Sequence, residues 1–278
     1  MAPRHRFALT SAHIKKALNE LADRHERIAM SLEQVGYPSE RRQPHGFEPL
    51  ARIVVGQQVS TKAAESIAEK LRLTLGGAIS AEAVLSTETD TLRSAGLSGQ
   101  KASYIQTLAE AVATNKLDLD ALPRLNNEDA LEQLTSLRGF GVWSAQMYLM
   151  FSLGRTDIWP SGDLAVRVGF GDLMGFDERL SIKDTDNLAT PFSPYRSALA
   201  LLCWRYYGQA RHRQTTDGSG KKSPAKKGSA KKGLAKKGPA KKDPTKKVST
   251  KKAPVKKAPA KKAPVKNAPA KSNRVSTK

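Results

Sequence analysis

Two stretches hold the residues whose types and spacing suit chemistry. Leu137-Arg138-Gly139-Phe140-Gly141-Val142-Trp143-Ser144-Ala145 sets two glycines one residue apart between helical segments. Glycine reaches positive φ and lets another backbone come close. The helix that follows opens on N–H groups without partners, where partial positive charge suits an anion such as a DNA phosphate. Taken alone, the pair is a weak signal and more often marks an ordinary tight turn. Further on, Asp157-Ile158-Trp159-Pro160-Ser161-Gly162-Asp163-Leu164 carries a second carboxylate after a proline. By spacing alone, Asp163 reads as a helix cap paired with Arg167 four residues later.

The rest of the sequence removes alternatives. There is no glycine-rich phosphate loop, no nucleotide fingerprint and no His/Asp/Glu cluster at metal spacing. The five histidines form no pattern. Cys203 is the single cysteine, which excludes an internal disulfide and a four-cysteine zinc or iron–sulfur site. No apolar run approaches the ~18 residues of a membrane span. No signal-peptide stretch follows the basic Met1-Ala2-Pro3-Arg4-His5-Arg6. An intracellular, reducing compartment is expected: cytoplasm and nucleoid in a bacterium, nucleus in a eukaryote.

Charge divides the chain. It carries 47 Lys+Arg against 26 Asp+Glu, a net +21 over 278 residues. Residues 217–278 hold 21 Lys, one Arg and two Asp, a net +20, and leave residues 1–216 at +1. From Lys221 a five-residue unit repeats, as in Lys221-Lys222-Ser223-Pro224-Ala225, with the next pair at Lys226-Lys227 and prolines such as Pro239, Pro244 and Pro254. Without aromatics and with few large aliphatics this segment builds no core, and proline breaks helices. It is expected to be disordered and extended. Its composition resembles the tails of linker histones and of some bacterial histone-like proteins. Such a tail neutralises phosphates and gives salt-dependent, sequence-independent DNA affinity. A solubilising tail, or one that meets RNA or anionic lipid, has the same composition.

Residues 1–216 read as all-α. The spacing predicts helices over about Ala12–Gln34, Phe47–Val55, Ser60–Leu75, Gln100–Thr114, Val142–Leu153 and Tyr195–Tyr207. A short helix is expected between Thr87 and Gly96, and another from Asn126 to Leu134, opened by Asn126-Asn127-Glu128-Asp129.

Four elements together carry a resemblance. Leu137–Gly141 resembles the hairpin of the helix-hairpin-helix DNA glycosylases. Pro160 followed by Asp163 is similar to that family's proline-then-aspartate segment. Pro194-Tyr195-Arg196-Ser197 resembles its later aromatic–Arg–Ser element, and Gly56-Gln57-Gln58-Val59-Ser60 its DNA-wedge region. They cover about residues 45–207, and the branch most resembled is DNA-3-methyladenine glycosylase II. The resemblance implies a two-lobed helical domain at 46–216, preceded by a helical extension at 1–45 and followed by the tail at 217–278.

The resemblance also implies roles. Asp163 is the catalytic carboxylate, beside a sugar that gains positive charge as the N-glycosidic bond breaks. Trp143 stands where strand-cutting relatives carry a lysine, and an indole has no amine for a Schiff base. A monofunctional enzyme follows, which hydrolyses alkylated purines of the 3-methyladenine type and leaves an abasic site. A flipped base needs a pocket; Trp143, Tyr195, Met147, Leu164 and Phe47 are its candidates. Met147 and Leu164 lie where some members carry tyrosines. Electron-rich faces attract cationic bases. Gln58 is the candidate wedge, in place of the leucine of the best-known branch. Leu137, Gly139, Phe140, Gly141, Val142, Ser144, Lys221, Lys222, Lys226 and Lys227 are the candidate DNA contacts. Carbonyls of Thr135, Leu137 and Phe140 are candidates for a structural Na+ or K+; no other cofactor and no iron–sulfur cluster is expected. Trp204, Tyr206 and Tyr207 read as core or rim. The expected partner is double-stranded DNA with alkylated bases, met by a monomer, with no membrane. The competing readings are a non-catalytic DNA-binding or architectural protein on the same fold, and a lyase or oxidised-base enzyme, which Trp143 opposes.

Overall fold

The computed structural model describes residues 7–216, with side chains as far as Gln209. Lys221, Lys222, Lys226 and Lys227, and the expected extended tail, lie outside the described residues. The chain divides after Lys222, and the following concerns the first unit. Its described residues form twelve α-helices and two short 3-10 turns, with no strand.

Side-chain caps set most helix starts. Thr10 caps α1 (Ser11–Ala22), and α2 (Glu26–Val35) follows. α3 spans Phe47–Gly56. Ser60 caps α4 (Thr61–Thr74) and Ser80 caps α5 (Ala81–Leu85). After α6 (Thr89–Ser94), Ser98 caps α7 (Gly99–Ala113). Asn126 caps α8 (Asn127–Thr135), which leads into α9 (Val142–Phe151). Asp163 caps α10 (Leu164–Met174) and Ser181 caps α11 (Ile182–Ala189). α12 (Arg196–Thr216) closes the unit. In each capped case a side-chain oxygen accepts an N–H that the first helical turn leaves unpaired.

The single helix expected over Ala12–Gln34 is two helices. Asp23 ends α1 and His25, in an extended conformation, starts α2. Leu21 and Ile28 are both buried and lie seven residues apart, so the apolar period runs on through the break. The charged Asp23-Arg24 turn buries nothing, while His25 packs on Phe192 with ring centroids 4.8 Å apart.

The helices form two lobes. α3 packs on α4, α7 and α9, while α5 and α6 cover α7 and α8 covers α9. In the second lobe α10 lies against α12, with α1, α2 and α11 around them. The N-terminal helices therefore share a core with the two C-terminal ones. Backbone bonds from Leu9 N–H to the Gly154 carbonyl (3.0 Å) and from Gln43 N–H to the Phe151 carbonyl (2.8 Å) tie the end of α9 to the chain's N-terminal part. Each fully buried Leu, Ile or Phe contributes roughly 1.5–3 kcal/mol; Leu18, Ile28, Leu50, Ile105, Leu149 and Phe170 are among them.

One glycine decides how close the site's two supporting helices come. A Cβ on Gly169 of α10 would lie 2.3 Å from the Cys203 carbonyl of α12. Only hydrogen fits there, so the helix-weakening glycine is the condition for the contact. Cys203 is fully buried, and burial pushes its thiol well above the ordinary range.

Candidate active site

Asp163 stands where the lobes meet. Its Oδ1 accepts the N–H groups of Ala165 (2.9 Å) and Val166 (3.0 Å), the first turn of α10. The same oxygen accepts the indole N–H of Trp204 on α12 at 3.0 Å. Oδ2 accepts the indole N–H of Trp143 on α9 at 2.9 Å. Asp163 is thus a helix cap and also the acceptor of two indoles from two other helices. The side chain of Arg167 turns instead to the Leu180 carbonyl, 3.5 Å away.

A stitched segment delivers Asp163 to this place. Ser197 Oγ accepts the Ile158 N–H at 2.9 Å and donates to the Arg155 carbonyl at 2.8 Å. Asp157 accepts two hydrogen bonds from the Arg196 guanidinium, both 2.7 Å, and one from Ser193 Oγ at 2.8 Å. Gln146 of α9 donates to the Trp159 carbonyl at 2.9 Å, and Trp159 meets Phe170 edge to face. The Arg196-Ser197 pair therefore holds residues 155–158, and these fix the approach to Pro160 and Asp163.

Trp143 is 38% exposed and Leu164 47%, and they flank the carboxylate at the starts of α9 and α10. Met147, one turn after Trp143, lines a cavity of about 280 Å3 with Gln43, Arg52, Ile53, Glu65 and Phe151. Phe151 in turn touches Trp204, with centroids 5.8 Å apart. Trp143 and Leu164 adjoin Asp163, while Met147 lies one turn further along α9 in the wall of that cavity. Phe47 lines an adjoining cavity of about 550 Å3 with His45, Ile79 and Leu119, which shares Gln43, Pro49 and Arg52 with the first. Tyr195 faces α1: its hydroxyl donates to Glu20 at 2.6 Å, and that bond raises its pKa.

The glycine pair forms the turn between α8 and α9. Phe140 N–H donates to the Leu137 carbonyl at 3.0 Å. Gly139 has φ +93°, and a Cβ on it would lie 2.3 Å from the Tyr104 ring. Gly141 precedes α9, whose first N–H groups have no side-chain cap. Leu137 and Phe140 are buried and Val142 is exposed. Ser144 is buried, and its hydroxyl accepts from Gln57 Nε2 at 3.3 Å.

Gln58 sits beside this turn with φ +58°, in the left-handed region that non-glycine residues seldom occupy. A polar cleft of about 370 Å3 separates it from Gly139 and Gly141. Lys101, Gln100 and Tyr104 also line the cleft. The Lys101 ammonium donates to the Val55 carbonyl at 2.7 Å, and burial pushes its pKa down.

Sequence reasoning missed three residues here. Trp204 read as core, although its N–H meets Asp163; indole spacing holds no signal for that. Lys101 lines the cleft beside the turn, and the exposed Arg138 lies in the turn itself. Their signal was proximity to the glycine pair, in the chain for Arg138 and only in the fold for Lys101.

Known proteins resemble this chain in sequence and in fold. The model of the HhH-GPD superfamily base excision DNA repair proteins matches residues 51–194, more than half of the chain. DNA-3-methyladenine glycosylase 1 of Schizosaccharomyces pombe is 29% identical over 172 residues, 60% of this chain and 73% of that protein. A structure of the 3-methyladenine DNA glycosylase of that yeast with abasic DNA superposes with a TM-score of 0.63 at 28% identity, covering 68% of this chain and 95% of that one. The DNA-3-methyladenine glycosidase of Bacillus halodurans gives a TM-score of 0.65 at 29% identity, with 70% and 91% covered.

Proposed function

The chain belongs to the HhH-GPD superfamily of base excision DNA repair proteins, and from that premise we propose that it is a monofunctional DNA glycosylase for alkylated purines of the 3-methyladenine type. The observation that carries this reading is the Asp163 carboxylate at the lobe junction, with an indole rather than an amine opposite it.

The duplex enters with a phosphate on the free N–H groups of α9, where the helix dipole favours an anion. Lys101 and Arg138 add positive charge beside it. Gln58, held in its left-handed turn, fills the gap as the damaged nucleotide leaves the stack. The base lies against Trp143, toward the cavity lined by Met147 and Phe151. An alkylated purine is cationic and an indole face attracts it. It departs as a neutral molecule, so the bond breaks without a strong general acid. The sugar is left oxocarbenium-like, and Asp163 stabilises that charge and orients the attacking water. Water adds at C1′, its proton passes to solvent or to Asp163, and an abasic site remains. A lysine nucleophile has no counterpart at Trp143, so no strand cleavage follows.

A monovalent cation fits at the turn on one test. The Leu137 carbonyl accepts a single backbone N–H, from Phe140, which leaves a lone pair for a metal. Carbonyls of Thr135 and Phe140 would complete the set, and the ion would strengthen the grip on the phosphate. We take the working unit to be a monomer on double-stranded DNA.

The test is release of free base from methylated duplex DNA by wild type and Asp163→Asn. Release of 3-methyladenine by the wild type alone supports the reading. Equal release by both moves catalysis away from Asp163. No release by either leaves a DNA-binding protein on this fold. A covalent adduct trapped by borohydride would overturn the monofunctional assignment.

A further inference from the structure

The two oxygens of Asp163 are not equivalent. A carboxylate oxygen offers about two lone-pair directions. Oδ1 already receives three donors, from Ala165, Val166 and Trp204. It has no direction left for an incoming group. Among the described residues Oδ2 receives Trp143 Nε1, and it keeps room for more.

The two indoles also differ in how they are held. Trp204 is half-buried on α12, with Phe151 against its ring and the Arg41 guanidinium 5.6 Å from its centroid. Its neighbour Cys203 presents the carbonyl against which Gly169 of α10 is pressed. Because α10 begins at Asp163, the contact that fixes the helices also fixes the distance from Trp204 to the carboxylate. Trp143 is in the first turn of α9 and 38% exposed.

We infer that Trp204 is a positioning residue that locks Asp163 through Oδ1, that Oδ2 is the oxygen presented to the sugar, and that the Trp143 N–H caps Oδ2 until the flipped nucleotide arrives. The inference rests on Asp163 being the carboxylate that assists bond cleavage. Trp204 acts through Asp163. Its work is to stop the carboxylate rotating about χ2, a soft torsion that two backbone N–H groups on a single oxygen leave partly open. With Trp204 in place, three donors from two helices define the carboxylate plane. An oxygen held in one place and one orientation can meet the developing positive charge without reorganising.

The Arg41–Trp204 contact joins the loop before α3 to the same lock. Arg41 and Gln43 come from a segment that the sequence assigns to an extension outside the enzyme domain. In the structure Arg41 covers Trp204, and the backbone of Gln43 is bonded to the end of α9.

The test uses full-length protein and two DNA probes. One carries a cationic pyrrolidine in place of the target sugar, and the other an uncharged tetrahydrofuran. Wild type is expected to bind the pyrrolidine probe more tightly, because a placed carboxylate faces the charge. Trp204→Phe keeps an aromatic ring and removes the N–H. It is expected to lose about 10- to 100-fold in single-turnover excision and most of the pyrrolidine preference. Its affinity for the tetrahydrofuran probe should stay within about threefold, since the aromatic ring is kept and no phosphate contact is changed. Trp204→His returns a ring N–H and is expected to recover part of both. Trp143→Phe is expected to lose less rate than Trp204→Phe, because its hydrogen bond must open for the substrate in any case.

Asp163→Asn separates the two levels. If it remains fully active, the reading of Asp163 falls and the inference with it. If it is inactive while Trp204→Phe keeps wild-type rate and preference, only the inference falls. Should Trp204→Phe fail to fold, Trp204→His carries the test: a normal tetrahydrofuran affinity with a reduced pyrrolidine preference supports the lock, and a parallel loss of both overturns it.

Discussion

Gln57, at the end of α3, donates through Nε2 to the Gly139 carbonyl across 2.8 Å, and the same nitrogen lies 3.3 Å from Ser144 Oγ. The residue beside the candidate wedge is thereby bonded to both sides of the glycine turn. On the proposed reading this bond ties the wedge segment to the turn that holds the phosphate. Register on the phosphate then fixes where Gln58 points.

Removing that bond should separate grip from insertion. Gln57→Leu is close in volume and leaves the Gly139 carbonyl and the buried Ser144 hydroxyl without this partner, at a cost of about 1–3 kcal/mol. Single-turnover excision is expected to fall about tenfold, a loss typical of misplaced groups, while affinity for undamaged duplex changes much less. Stopped-time excision assays and fluorescence anisotropy measure the two. Equal losses in both would show that Gln57 serves the grip alone.

The two glycines of the turn should respond differently to one methyl group. Gly139→Ala meets the Tyr104 ring and must hold φ +93°. Strain and overpacking together are expected to cost at least about 2 kcal/mol. Gly141 has φ −91° and nothing within 4 Å of its Cβ position. Gly141→Ala should stay within about 0.5 kcal/mol of wild type, like other unhindered surface changes. Urea unfolding of residues 1–216 in both variants checks the contrast. A Gly139→Ala protein as stable as Gly141→Ala would contradict the close approach.

The Asp157–Arg196 pair should make stability depend on acid pH. Burial alone would push the Asp157 carboxyl up, but the hydrogen bonds from Arg196 and Ser193 outweigh it and hold the pKa below its ordinary value. A carboxyl with a lowered folded pKa stabilises the fold above its unfolded pKa of about 3.9, and that contribution is lost as pH falls through the folded value. Stability is therefore expected to be level near neutrality and to decline below about pH 4. Asp157→Asn should be less stable at pH 7 by about 1–3 kcal/mol, with a shallower acid decline. Urea midpoints between pH 2.5 and 7 test this. A variant with wild-type acid dependence would show that the pair does not contribute to it.

Residue chemistry made some of this legible before any coordinates and hid the rest. Ser60 and Asn126 cap helices at the places their types predict, because capping is local. The glycine turn and Asp163 were visible as motifs. α10 was not, since Gly169 and Gly171 lower helix propensity and gain their purpose only against α12. The break at Asp23-Arg24 was hidden because Leu21 and Ile28 keep the helical period. Trp204 could not be seen as a site residue, and Gln57 only as a member of the wedge stretch and not as its tie to the glycine turn. Trp204 acts through a hydrogen bond to a residue 41 positions away and Gln57 through bonds to residues 82 and 87 away, and no spacing rule encodes such pairs.

The last prediction concerns charge alone. Residues 217–278 carry +20 and residues 1–216 only +1, so nearly all the long-range attraction to a polyanion comes from the C-terminal segment. Each neutralised phosphate adds about 0.9 to the steepness of log K against log salt. Deleting residues 217–278 is expected to flatten that slope by several units and to weaken binding most at low salt. On the proposed reading the chemistry lies in α9, α10 and α12, so excision at saturating enzyme should fall far less than affinity does. The deletion also removes a brake, because non-specific contacts that speed encounter also hold the product. Multiple-turnover rates at low salt are therefore expected to rise even as affinity falls. Anisotropy titrations from 50 to 300 mM salt, paired with single- and multiple-turnover excision, decide it. An unchanged salt slope would mean that the basic segment is not engaged with DNA, and a collapse of single-turnover excision would move part of the catalytic apparatus into it.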